Sequence, residues 1–151
     1  MTPARRPHPE YHPGYGETFE RTPAAVSISR DLVRDALGVW EVDDYTVQAA
    51  ALVVSELVTN VIRHTASRLL LVIVEQPMDT RVRLAVVDFE PSHTPTLRTV
   101  RPDSPDGRGL VLVDALTDRW GYDLLGPAGR PSRKRVWAEL LVDAKPAEGE
   151  Q

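Results

Sequence analysis

The chain has 151 residues, 42% of them apolar and 26% charged, with a formal net charge of −4. That length suits one domain with one real core, and the mildly acidic balance argues against a general nucleic-acid binder. The absence of cysteine excludes disulfides and thiolate metal sites.

No stretch reads as a transmembrane helix, and the N-terminus lacks the apolar core of a signal peptide, so the expectation is a cytoplasmic protein. Arginine far outnumbers lysine, and Ala, Val and Pro are frequent. That bias is what a GC-rich genome produces and carries no mechanistic meaning.

Residues 1–16, MTPARRPHPEYHPGYG, are rich in Pro, His and Tyr without an apolar period. They read as a disordered tail, as does DAKPAEGEQ at 143–151, leaving a folded region at 17–142. TPAAVSISRDLVRDALGVW reads as a first helix, with Thr22 as N-cap, Pro23 at the first helical position and a stripe of Val26, Val33 and Leu37. DDYTVQAAALVVSELVTNVIRHT reads as a second helix, capped by Asp43 or Asp44. RLLLVIVEQ is a buried strand, QPMDT a hairpin loop and TRVRLAVVDF the returning strand. A long segment from Glu90 to Gly107 has four prolines and no period, a length that usually signals function. GRGLVLVDALTD then reads as a short helix opened by glycines, WGYDLL as a strand, GPAGRPSR as a turn and KRVWAELLV as the last strand. Strands joined by short turns pair antiparallel, so the expected fold is an α/β two-layer sandwich, a mixed but mostly antiparallel sheet with helices on one face.

Three constellations could carry chemistry. In SELVTNVIRH, the polar residues Ser55, Glu56, Thr59, Asn60, Arg63 and His64 fall on one half of a helix, and Glu56, Asn60 and His64 form a single row. An amide oxygen is a hard neutral ligand suited to Mg²⁺, and a carboxylate one turn away can hold a metal water or act as a base. The plainer reading of this row is a solvated helix face. Asp88 closes a buried strand, where it can accept a hydrogen bond from a ligand such as the amine of adenine, or simply cap its own turn. In DGRGLVLV, glycines flank Arg108 ahead of an apolar helix, an arrangement that lets backbone N–H groups approach anionic oxygens, or that merely turns the chain. The histidines form no metal set, and Trp40, Trp120 and Trp137 read as packing residues.

The order of these signals, SELVTNVIRH, then VVD, then a long loop, then GRGLVLV, resembles the Bergerat-fold (GHKL) ATPase superfamily. Within it the chain is most similar to the small single-domain branch of anti-sigma-factor serine kinases and actinobacterial ATP-binding regulators. The resemblance implies ATP and Mg²⁺ as cofactors, Glu56 as catalytic base, Asn60 as the Mg²⁺ ligand and Asp88 as the acid that binds the adenine amine. It also implies a lid at Glu90–Asp106, and phosphate contacts from Gly107, Arg108, Gly109 and Leu110. The implied partners are an anti-anti-sigma-type protein, a sigma factor, or both, with a homodimer as the common assembly. Three positions depart from the family pattern: Glu90 where a small residue is usual, Arg135 where a Thr helps to hold adenine, and Val61 for Ala. Two functions follow as expectations: a serine/threonine kinase acting on its partner, or a partner-binding regulator with a weak or lapsed nucleotide site.

Overall fold

The computed structural model describes residues 6–7, 14–92 and 105–142, with side chains for 14–92 and 111–142. Its elements run β1 (Arg6–Pro7), β2 (Gly14–Glu20), α1 (Ala24–Val39), α2 (Asp44–His64), β3 (Leu69–Met78), β4 (Arg81–Asp88), α3 (Pro105–Leu116), β5 (Arg119–Leu125) and β6 (Arg133–Leu141). The six strands form one sheet in the order β1-β2-β3-β4-β6-β5. Every pairing among the described strands is antiparallel, so the sheet is uniform rather than mixed. Because β4 and β5 both run against β6, they point the same way. The chain crosses from one to the other through α3, and β6 inserts between them.

The helices form the second layer. Alternate residues of the central strands, Leu70, Val72 and Val74 on β3, Val82, Leu84 and Val86 on β4, and Val136, Ala138 and Leu140 on β6, form the core with α1 and α2. α2 is the hub of that core: ten of its residues are buried, among them Val53, Val54, Leu57 and Val58. Each such side chain contributes about 1.5–3 kcal/mol by leaving water. By length and composition α2 is apolar enough to cross a membrane, contrary to the expectation from sequence, but over half of the qualifying window is buried inside the fold. Its apolarity is therefore that of a core helix covered on several sides.

The helix ends follow local chemistry. Asp43, of the two candidate caps, caps α2: its carboxylate accepts from the Thr46 N–H at 2.9 Å and the Thr46 hydroxyl at 2.7 Å. At α1 the expected Thr22 cap does not form. Pro23 takes the cap position with helical dihedrals and no side-chain bond, and backbone carbonyls serve the first turn, that of Thr22 accepting from the Ala25 N–H at 2.9 Å and that of Pro23 from the Val26 N–H at 3.2 Å.

The N-terminal boundary differs from the sequence reading. Arg6–Pro7 and Gly14–Gly16 belong to strands, not to a tail. β2 pairs along its whole length with β3, from Gly14 opposite Glu75 to Glu20 opposite Leu69. GYGETFE hides this because two glycines dilute its alternation, yet Tyr15, Glu17 and Phe19 share the helix side of the sheet and Tyr15 stacks on Trp40 at 5.6 Å. The tail expected at 143–151 lies outside the described residues.

Candidate functional site

The antiparallel register of β3 and β4 sets Leu70 opposite Asp88. The turn between α2 and β3 therefore lands beside the last residue of β4, and the C-terminal end of α2 comes with it. Hydrogen bonds fix this corner. The Phe89 N–H donates to Ser67 Oγ at 2.9 Å, and Ser67 Oγ donates to the Leu69 carbonyl at 2.6 Å. Arg21 donates to the Ser67 carbonyl at 2.8 Å and to the Ile62 carbonyl at 3.2 Å, tying the approach to α1 to the end of α2. Arg21 and Ser67 are positioning residues that the sequence did not single out. Neither type carries a local signal when its partner lies about 40 residues away.

Asp88 sits at this corner on the helix side of the sheet and is fully buried. Oδ1 accepts from the Glu90 N–H at 2.9 Å, closing a tight turn. Oδ2 lies 3.3 Å from Nζ of Lys134, itself 3% exposed, without a well-aligned hydrogen bond. Burial pushes the Asp88 carboxyl above its ordinary value, against the opposing pull of the Glu90 N–H and Lys134.

This pair corrects the reading of the last strand. The family resemblance sets Arg135 against the base, but in the register Lys134 stands opposite Asp88 and Arg135 opposite Val87. Neighbouring strand residues face opposite sides of a sheet. Arg135 therefore points to the open face, where Nη2 bonds Asp123 Oδ2 at 2.7 Å. Glu90, expected to repel a nucleotide if it pointed inward, turns instead to the α2–β3 turn, where its carboxylate accepts the Ala66 N–H.

Glu56 and Asn60 are half-buried on α2 with His64 one turn further on. No hydrogen bond or ion pair among the described residues engages Glu56 or Asn60. Ser55, placed on the polar half by its sequence spacing, is instead in the core and donates to the Ala51 carbonyl at 2.8 Å. Gly107, Arg108, Gly109 and Leu110 lie inside α3, which begins at Pro105, two residues before Gly107. Most of the expected lid, residues 93–104, falls outside the described residues. Among those that are described, no cluster of His, Asp or Glu forms a metal site by side chains alone.

The opposite face of the sheet carries no part of this corner. Its groove of about 310 Å³ is lined by residues such as Ile73, Arg83, Arg119, Trp137 and Glu139. There Glu139 binds Arg83 Nε at 3.0 Å and Arg119 Nε, and Arg119 lies over the Trp137 ring at 5.7 Å. Of the other tryptophans, Trp40 and Trp120 pack against the core, as expected.

An antiparallel sheet with helices on one face and a buried acid ending its central strand beside the long core helix defines an α/β sandwich of the Bergerat type. Residues 19–133 match the family described as the histidine kinase-like ATPase domain, and the chain belongs to that family. Its fold is similar to the RsbU and RsbW domains of Rv1364c from Mycobacterium tuberculosis, with a TM-score of 0.60 and 19% sequence identity. That likeness covers 87% of this chain and 33% of that chain, so this chain spans about a third of its length. No curated protein matches.

Proposed function

We propose that the chain is an ATP-binding regulator that phosphorylates a hydroxyl on an anti-anti-sigma-type protein partner. The observation that carries this reading is the corner itself: a buried Asp88 beside the end of the helix that presents Glu56 and Asn60. The donor set fits the ligand. Asp88 supplies a buried carboxylate with acceptor capacity left at Oδ2, Asn60 a neutral oxygen for Mg²⁺, and the Gly107–Leu110 segment lies near the N-terminus of α3.

ATP, when bound, supplies a transferable phosphoryl group, and transfer needs mainly positioning and charge neutralisation. Asp88 would hold the base, Asn60 the metal and the backbone of residues 107–110 the phosphates. Glu56 would accept the proton of the attacking hydroxyl.

Calorimetric titration with ATP, with and without Mg²⁺, tests the site. Binding is expected to depend on magnesium, and Asn60→Ala to weaken the magnesium-dependent part by about tenfold, roughly the loss of one good polar contact. Transfer of labelled phosphate to a partner is then expected to fall at least about a hundredfold in Glu56→Ala, the usual contribution of a general base. Unchanged transfer in that variant would remove Glu56 from the reaction.

A second reading, a regulator that holds its partner without catalysis, draws on the ammonium already seated against Asp88. Partner binding that ignores ATP, together with no transfer, would select it.

A further inference from the structure

Lys134 and Asp88 face each other across the β4–β6 pairing, Nζ 3.3 Å from Oδ2, with 3% and 0% exposure. The other carboxylate oxygen is already held by the Glu90 N–H at 2.9 Å. An ammonium has only donors, and an ionised carboxylate has only acceptors. An Asp standing alone at the base of a purine site would offer its free oxygen to the amine at C6 of adenine. Here a cation stands at that oxygen. A donor in that place suits a keto oxygen at C6, and the carboxylate beside it then suits the N1–H that a 6-oxopurine carries. Both groups are out of water, so a base of the wrong pattern leaves a buried polar atom unmatched.

We propose that Lys134 is a specificity-determining residue that turns the base subsite at Asp88 away from strict adenine selection and toward 6-oxopurine nucleotides. The inference rests on the nucleotide-site reading above.

The test compares ATP with inosine triphosphate, which differs from it only in the keto group at C6 and the hydrogen on N1. Each is titrated with Mg²⁺ into the full chain, into Lys134→Thr and into Lys134→Arg, and a thermal melt establishes that each variant is folded. The wild-type chain is expected to bind inosine triphosphate at least as tightly as ATP. Lys134→Thr, which keeps a small hydroxyl donor but frees Oδ2, is expected to favour ATP by at least about tenfold. Lys134→Arg keeps the cation and should keep the wild-type ratio.

The wild-type ratio decides the matter even if a variant fails to fold. A wild-type preference for ATP of tenfold or more would overturn the proposal, because adenine would then be meeting the pair in the reverse order, amine on Asp88 and N1 on Lys134. Equal ratios in the wild type and Lys134→Thr would also overturn it while leaving the nucleotide site standing. No binding of either nucleotide to any of the three proteins would overturn the site reading as well.

Discussion

Two buried carboxylates, each facing basic side chains, should respond to pH in opposite directions. Burial pushes Glu139 up, but the hydrogen bonds from Arg119 and Arg83 outweigh it and hold the group below its ordinary value of 4.5. A lowered acid stabilises the fold above its ordinary value and loses that stabilisation as pH falls through the lowered one. Thermal melts of the wild type and Glu139→Gln should therefore differ most near neutral pH and converge only as pH falls below 4.5 and through the lowered value. Asp88 has the reverse sign. Its raised value means that its protonated form favours folding, fully so below 3.8, and that this contribution is lost as pH rises through the raised value. The Glu90 N–H and, after it, Lys134 oppose the cost that burial puts on the charged carboxylate. Asp88→Asn or Lys134→Met alone should each destabilise by about 3 kcal/mol, because each takes one side out of a buried ion pair, while the double variant should recover most of the loss. Denaturant melts of the four proteins form the cycle, and additive losses would show that the pair is not coupled.

At the scale of elements, the open face of the sheet limits what β5 can carry. A Cβ built on Gly121 would lie 2.9 Å from Cζ2 and 3.2 Å from Cε2 of Trp137, a rigid ring that Arg119 covers. Gly121→Ala should therefore push the ring or the strand aside and destabilise by about 1–3 kcal/mol, read as a fall in the denaturant midpoint with unchanged slope. The end of α1 offers the opposite case. Glu41 takes a φ of +57° while the Val42 N–H bonds the Leu37 carbonyl at 3.0 Å and the Glu41 N–H the Gly38 carbonyl at 3.1 Å. This is the helix-ending motif that glycine suits. Glu41→Gly should stabilise by about 0.5–1 kcal/mol, visible as a higher melting temperature, because relief of the left-handed strain exceeds the added chain entropy.

These elements also show how far the sequence could be read. Long periodic stretches declared themselves: α2, β3, β4 and β6 have apolar spacings that one burial geometry explains. The placement of Glu56 and Asn60 on α2 and of Asp88 at the end of β4 was legible, because each sits at a fixed place on such an element. Lys134 was not, because choosing between it and Arg135 depends on strand register, and a shift of one residue exchanges the two faces. β2 was missed for a different reason. Its glycines and charges lower its apolarity, and what recruits it is the unpaired edge of β3, which lies about 50 residues further along.

At the scale of the whole molecule, that edge gives β2 its importance. Without β2, β3 would expose a run of unpaired backbone groups beside Leu69, Leu71 and Ile73, a template for pairing with other chains. β2 also brings Tyr15 onto Trp40 and so couples the sheet edge to the end of α1. A chain begun at Glu17, the boundary that composition suggests, keeps only four of the seven β2 residues and loses that stack. Removing β1, one half-buried aromatic stack and three residues paired with β3 should cost about 1–3 kcal/mol, which for a domain of this size lowers the melting temperature by roughly 3–12 °C. A chain begun at Arg21 removes β2 altogether and should pass from lowered stability to self-association. The two truncations separate a local loss from an exposed edge, because the first should melt early yet remain monodisperse by size-exclusion chromatography, while the second should elute as larger species. If both matched the full chain in melting and elution, β2 would be dispensable to the fold, and the sheet would begin in effect at β3.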